Sequence, residues 1–380
     1  MAQIKKIFIV CGEPSGDLLA GNLIQEIKKI DPAIQISGVG GTYLKRSGAE
    51  IFCDIKELSV MGFFDVLKKL PKFLQLKQLI LKKIASQRPD AIIFVDFSGF
   101  NLRLAKAINR RIPTIYYVSP QVWASRENRI NSIRDFISKM IVLFKFEEDF
   151  YKKRGVQAHW VGHPLLSLVQ PTMEKQELLK NLGLNPAQKV IALLPGSRKQ
   201  EIRKLLPIML NAGQFINNKI PGMQFIIAKA PNLDARLYQD ECDKYNLNLK
   251  IVDGKTYDCL NSADFCLVCS GTATLETAIM QKPFMIIYKM NLLNYLLYRP
   301  QVKIPYIGMV NIVAGKKNVP EFIQFNAQPE MISRAALELL QNPAQEKQML
   351  DSLASVKTSL GSPDAAERSA KIILDFLNKQ

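Results

Sequence analysis

Ser270-Gly271-Thr272 ends an apolar run, Phe265 to Cys269, and leads straight into a helix-compatible stretch carrying Glu276. A strand, turn and helix of this kind can hold a phosphate. Glycine lets the backbone approach closely, and the first helical turn offers N–H groups without intrahelical partners. A carboxylate at Glu276 suits a pair of ribose hydroxyls. Pro195-Gly196-Ser197-Arg198 repeats the arrangement after the run Val190 to Leu194, and the Arg198 guanidinium adds a planar fork matched to phosphate oxygens. Either turn alone is also an ordinary strand-to-helix connection. Two in one half of the chain point to a nucleoside diphosphate. Neither carries the Walker lysine, and Gly-x-Gly-x-x-Gly is absent at the first strand, which argues against ATP hydrolysis and nicotinamide chemistry.

In the other half, Asp96 closes the run Ala91 to Val95 and precedes Phe97-Ser98-Gly99-Phe100-Asn101. A carboxylate there either takes a proton from an acceptor hydroxyl or caps the helix that follows. His163, between Gly162 and Pro164, is placed to donate to a phosphate or sugar hydroxyl, or else to pack at a domain junction. His159 beside Trp160 reads as packed. Two histidines are too few for a multi-histidine metal centre. Cys266 and Cys269 have C-x-x-C spacing but fall inside a buried strand, away from redox or metal chemistry.

The elements that must position these residues alternate. Apolar runs at Ile4 to Cys11, Ile34 to Val39, Ala91 to Val95, Thr114 to Val118 and Lys139 to Leu143 are separated by helical patterns, so a parallel sheet with covered faces is expected. Ligands of such a sheet gather at the carboxyl ends of its strands, where Gly12, Glu13, Ser15, Asp96 and Ser119 lie. The pattern restarts with Val190 to Leu194, Phe225 to Ala228, Leu249 to Val252 and Phe265 to Cys269. The fold class is α/β, with two Rossmann-like doubly wound domains facing a cleft. The expected domains are 1–165 and 166–361, with a helix at about 362–380 returning to pack on the first.

With 380 residues, 48% hydrophobic and 22% charged, the chain can bury two cores. No apolar run reaches the roughly 18 to 20 residues of a spanning helix. The opening MAQIKKIFIVCGEPSGD lacks a small-residue cleavage pattern and reads as a first buried strand, so a cytoplasmic protein is expected. Net charge is +17; residues 1–165 hold 26 Lys+Arg against 15 Asp+Glu, and the remainder 25 against 19. Such a field favours nucleic acid, anionic lipid or phosphorylated substrates. No zinc finger, helix-turn-helix or RNA-binding motif is present, and nucleic acid is not the expected partner. Phe63 to Ile84 holds six lysines and one aspartate, with Val66, Leu67, Leu70, Phe73 and Leu74 on one helical face. It reads either as a helix covering the sheet or, with Pro71 interrupting it, as a segment lying on an anionic membrane through Phe63, Phe64, Leu67, Lys68, Lys69 and Lys72. Leu292 to Tyr306, where Tyr295, Leu296, Leu297, Tyr298 and Arg299 are mixed, is a second candidate for such a membrane segment, with core packing as the default.

Taken together, the motifs resemble the lipid A disaccharide synthase family, inverting glycosyltransferases of GT-B architecture. The resemblance runs nearly end to end: GEPSGD at Gly12 to Asp17, GVGG at Gly38 to Gly41, VMGFFDVL at Val60 to Leu67, YYVSPQVWASR at Tyr116 to Arg126, VGHP at Val161 to Pro164, LPGSRKQEI at Leu194 to Ile202, SGTATLE at Ser270 to Glu276 and NIVAG at Asn311 to Gly315. It implies that UDP-2,3-diacylglucosamine donates its sugar to 2,3-diacylglucosamine 1-phosphate, giving a β-linked disaccharide and UDP. It further implies Asp96 as catalytic base, with Ser197, Arg198, Ser270, Gly271, Thr272, Glu276 and Asn311 holding UDP. Glu13, Ser15 and the Trp123 to Arg126 segment line the acceptor side. Two departures stand out: Phe97-Ser98-Gly99 replaces a family stretch with proline and an acidic residue, and Ser125 stands where tryptophan is usual. A deprotonated hydroxyl attacking an α-linked sugar nucleotide from the opposite face inverts it in one displacement, and no metal or cofactor is required. Acylated substrates suit an enzyme peripheral on the inner face of the cytoplasmic membrane. Two rivals stay open, another UDP-sugar enzyme of the same fold, such as an epimerase or a peptidoglycan-precursor transferase, and a non-catalytic binding module. The oligomeric state is open as well.

Overall fold

A computed structural model describes residues 4–55 and 70–379. The chain divides into two compact units, Met1–Pro164 with Tyr298–Lys303 and Leu360–Gln380, and Leu165–Leu297 with Ile304–Ser359. The expected boundaries left 298–303 in the second unit. The structure counts them with the first, where Lys303 N–H bonds the Ala124 carbonyl at 3.0 Å.

The first unit carries a seven-stranded sheet: β1 (Lys6–Cys11), β2 (Gln35–Gly40), β3 (Glu50–Asp54), β4 (Ala91–Val95), β5 (Thr114–Tyr117), β6 (Lys139–Val142) and β7 (Ala158–Trp160). Its order is β3-β2-β1-β4-β5-β6-β7, parallel throughout. Every residue of β4 and β5 is buried, as expected of central parallel strands covered on both faces. Helix Ala365–Asn378 packs on helix Pro14–Ile30, burying Ala366, Ala370, Ile373 and Leu377.

The second unit has six strands, β8 (Val190–Leu194), β9 (Gln224–Lys229), β10 (Asn248–Asp253), β11 (Phe265–Cys269), β12 (Phe284–Tyr288) and β13 (Glu321–Ile323). They are ordered β10-β9-β8-β11-β12-β13, again all parallel. β3, β7, β12 and β13 extend the sheets beyond the strands expected from the sequence. The two edge strands β7 and β13 are three residues each, too short for a period-two pattern to register.

Phe63, Phe64, Leu67, Lys68 and Lys69 of the expected membrane segment lie outside the described residues. From Leu70 a helix runs to Gln87 with Pro71 as its second described residue. Leu76, Ile80 and Ile84 are its buried stripe, and Phe73 packs on Phe97 and Phe100. Leu74, expected on the face of Phe73, points outward at 55% exposure. Among the described residues, no helix is long and apolar enough to cross a membrane.

Candidate active site

Strand order reverses between β1 and β4 in the first sheet and between β8 and β11 in the second. Doubly wound sheets collect ligands beyond the carboxyl ends of the strands at such points. In the first unit Cys11 pairs with Val95, so Gly12-Glu13 and Asp96-Phe97 leave adjacent strands together. A Cβ on Gly12 would stand 2.3 Å from the Phe97 ring, and one on Gly16 would stand 3.5 Å from Cβ of Asp96. Glycine at 12 thus makes room for the ring, and the helix start that carries Glu13 and Ser15 is brought beside Asp96. Asp17 of the same motif is buried and accepts from the N–H groups of Gly41 (2.7 Å) and Tyr43 (2.9 Å), tying GEPSGD to GVGG.

Asp96 and Phe97 are both left-handed, with φ of 48° and 49°. Such backbone costs on the order of 1–3 kcal/mol per residue and persists only where its surroundings impose it. Here the Asn101 amide and the Tyr116 hydroxyl, both on fully buried residues, donate to the Asp96 carbonyl at 2.9 and 2.5 Å. Helix Ser98–Ile108 takes Phe97 as its N-cap, not Asp96. The half-buried Asp96 is therefore held by its backbone at the carboxyl end of β4.

β5 ends in a similar way, with Val118 at φ 62°, an outlier for a β-branched residue. Beyond it, Ser119 Oγ and Trp123 Nε1 donate to Glu147 Oε1 at 2.7 and 3.0 Å, and Phe144 N–H donates to Oε2 at 3.3 Å. Glu147 is 3% exposed, and burial pushes its carboxyl up to about 7 against the pull of these donors. Nothing in the sequence singles out Glu147, because Glu147-Glu148-Asp149 reads as a solvated face. Arg126 is exposed and left-handed, with Nε on Gln301 Oε1 at 3.3 Å. Arg129, also unmarked in sequence, lays Nη1 on Ser98 Oγ at 3.1 Å, two residues past Asp96.

In the second unit Leu194 pairs with Val268, so the Pro195–Arg198 and Ser270–Thr272 turns leave neighbouring strands at one edge. The first turn is organised by Glu201, only 5% exposed, whose Oε2 accepts from the N–H groups of Ser197 (2.9 Å) and Arg198 (3.2 Å) while Oε1 accepts from Arg198 Nη1 at 3.1 Å. A Cβ at Gly196, where φ is 111°, would meet Glu201 Oε2 at 2.3 Å. This corrects the expectation of a backbone phosphate clamp at 195–198. The two N–H groups belong to Glu201, which leaves the exposed Ser197 hydroxyl and the guanidinium it aims.

In the second turn the first helical bonds are donated by Thr274, Leu275 and Glu276. The N–H groups of the exposed Gly271, of Thr272 and of Ala273 precede that ladder. Ser270 Oγ donates to the Ile307 carbonyl at 3.0 Å, and Glu321 accepts from the N–H groups of Ile307 and Gly308, both at 3.0 Å. Half-buried Glu276 accepts from the Tyr257 hydroxyl at 3.1 Å, and desolvation pushes its carboxyl up to about 7. Asn311 is 0% exposed; its amide donates to Val319 O (2.8 Å) and Glu321 Oε1 (2.9 Å) and accepts from the N–H groups of Asn318 and Val319, both 2.9 Å. Its side-chain polar atoms bond the 318–319 loop and Glu321.

Three further expectations resolve toward packing. His163 is 4% exposed against Phe144, its ring driven down to about 3 by burial and therefore neutral. Cys266 and Cys269 are buried in β11 with thiols pushed upward by desolvation, unsuited to redox or metal work. His159 sits half-buried in β7.

The architecture has close counterparts among solved structures. The glycotransferase of kitacinnamycin matches with a TM-score of 0.65 at 15% identity, covering 99% of this chain and 100% of that one. UDP-GlcNAc 2-epimerase from Neisseria meningitidis, bound to UDP-GlcNAc, matches at 0.63 and 12%, with 99% and 100% coverage. At those identities the likeness is one of fold, the GT-B arrangement of two parallel sheets. Sequence goes further. The lipid-A-disaccharide synthase of Syntrophus aciditrophicus (strain SB) is 40% identical over 377 residues, 99% of this chain and 98% of that protein. That of Geobacter sulfurreducens (strain ATCC 51573 / DSM 12127 / PCA) is 37% identical over 376, with 99% and 98% coverage. The pattern of the lipid-A-disaccharide synthetase (LpxB) family spans residues 7–373, taking in both switch points and every motif described above. With that span and those identities, the chain belongs to the lipid-A-disaccharide synthetase family.

Proposed function

We propose that the chain joins UDP-2,3-diacylglucosamine to 2,3-diacylglucosamine 1-phosphate, releasing UDP and forming the β-1′,6-linked disaccharide 1-phosphate with inversion. Asp96 takes the proton of the acceptor 6-hydroxyl as its oxygen bonds to C1 of the donor sugar. The bond from C1 to the diphosphate oxygen breaks, and its electron pair leaves with UDP. Arg198, aimed by Glu201, stabilises charge on the departing diphosphate. Ser197, Ser270, Gly271 and Thr272 complete the phosphate contacts, and Glu276 takes the ribose hydroxyls. Asn311 acts behind them by holding the 318–319 loop. Glu13, Ser15, Trp123 and Arg126 line the acceptor side, Trp123 being fixed by Glu147.

The observation that carries this reading is the Asp96 corner, a left-handed pair pinned through its carbonyl by Asn101 and Tyr116 at the switch point of its sheet. Backbone strain of this kind concentrates where a side chain must be presented for chemistry. The deciding experiment is mass spectrometry of the product formed from the two acylated sugars, with UDP release monitored. UDP is expected only when both are present. Turnover of UDP-N-acetylglucosamine alone would move the chain to the epimerases.

The acylated substrates also call for a peripheral position on the inner face of the cytoplasmic membrane. The net charge of +17, the exposed Lys72 and the outward Leu74 and Leu79 support it. Lys68, Lys69 and Lys72 changed together to glutamate should weaken sedimentation with anionic vesicles. Unchanged sedimentation would return this segment to packing alone.

A further inference from the structure

The segment Leu292 to Tyr306, for which core packing is the default on sequence and a membrane-lying segment the alternative, opens outward. In helix Leu292–Tyr298, Leu292, Leu293 and Leu296 are 48%, 63% and 59% exposed, and at spacings of three and four residues they share one face. Phe325, 64% exposed, adds its ring beside them, with Tyr295 edge-on at 6.1 Å. The patch is built, not frayed. Gln324, 5% exposed and left-handed at φ 55°, accepts from Met290 N–H at 3.1 Å and donates to the Met290 carbonyl at 3.2 Å. One buried amide thus clamps the approach to the helix to the turn that carries Phe325. Scattered exposed leucines need no explanation, but a contiguous rigid apolar patch marks an interaction surface.

Charge names the occupant. From Thr277 to Pro320 the chain holds six Lys or Arg and no Asp or Glu. Exposed Lys289 stands three residues before the helix and exposed Arg299 directly follows it. Exposed leucines flanked by Lys289 and Arg299 suit a bilayer, with hydrocarbon for the side chains and anionic headgroups for the two cations.

We propose that the face formed by Leu292, Leu293, Leu296 and Phe325 is a docking surface for an anionic lipid bilayer. It rests on the exposure of these residues and on the flanking Lys289 and Arg299, and it holds whichever sugars the enzyme joins.

The test uses the full chain and sedimentation with vesicles of phosphatidylethanolamine and phosphatidylglycerol. Leu293→Ser with Leu296→Ser should weaken partition about thirtyfold, the scale of two half-exposed leucines removed from an apolar phase. Phe325→Ser, outside the helix, should weaken it several-fold and guards against a helix variant that fails to fold. Circular dichroism and product formation from detergent-dispersed substrates should match the unsubstituted chain. Partition within about twofold for both variants would overturn the proposal. So would a change in oligomer mass with vesicle binding intact, which would assign the face to a second copy. Equal binding to phosphatidylcholine alone would overturn the role of the cations. Failure of product formation in the unsubstituted chain would bear on the transferase reading and not on this surface.

Discussion

Replacing Asp96 with asparagine removes a proton acceptor and leaves the corner around it in place. Both anchors, from Asn101 and Tyr116, fall on the Asp96 carbonyl, which asparagine keeps. Asparagine also accepts left-handed backbone at least as readily as aspartate, so φ of 48° adds no cost. Its size is the same, so it fills the same space beside the helix start at Gly16. Loss of a positioned general base lowers turnover by about 10²- to 10⁴-fold, or roughly 3–5 kcal/mol of barrier. UDP affinity, which the proposed mechanism assigns to residues of the second sheet, should stay within about twofold, and the unfolding temperature should hold. Asp96→Ala should lose as much turnover and in addition about 1 kcal/mol of stability, since alanine pays the left-handed cost in full. The assay is UDP release with both acylated sugars, with titration of UDP onto each variant. Turnover by Asp96→Asn within about threefold of the unsubstituted enzyme would refute the base. Parallel losses of UDP affinity and unfolding temperature would show that Asp96 serves the fold.

Glu147 gives a pH signature. Its folded carboxyl sits near 7 against an ordinary 4.5, so between those values the native state holds a proton that the unfolded chain has released. Stability is fully present below about 4.5 and is lost as pH rises through about 7, by roughly 3 kcal/mol. Glu147→Gln should flatten that slope in urea titrations, and a slope that survives would clear Glu147. Glu276→Gln should weaken UDP binding about tenfold or more by calorimetry, as expected for lost charge-assisted bonds to ribose; an unchanged Kd would remove it from the donor site. Asn311→Ala strands buried partners on Val319, Asn318 and Glu321 and should cost about 3 kcal/mol or more of stability, seen as a lower unfolding temperature. Lost UDP affinity at an unaltered unfolding temperature would mean that Asn311 touches the nucleotide after all.

Much of the molecule can be read from the chain because the relevant signals are local. Buried parallel strands are continuous apolar runs, so β1, β4, β5, β8 and β11 announce themselves, and the turns after them carry the polar residues that a switch point exposes. The resemblance to the family is equally local, resting on short motifs from GEPSGD to NIVAG. What the chain could not disclose was how its polar atoms are shared. Ser197 and Arg198 offer two N–H groups to a phosphate until folding brings Glu201 back to take both. Asn311 looks like a ligand until the 318–319 loop and Glu321 consume its amide. Glu147 looks solvated until Ser119 and Trp123 arrive from residues more than twenty positions away. Hydrophobic pattern records which residues avoid water, so it sets the elements. Glu201 is a local capping-box partner of Ser197 and Arg198, but how Glu147 is satisfied, and which leucines of 292–298 are left uncovered, depends on neighbours farther along the chain, and only the packed chain supplies those.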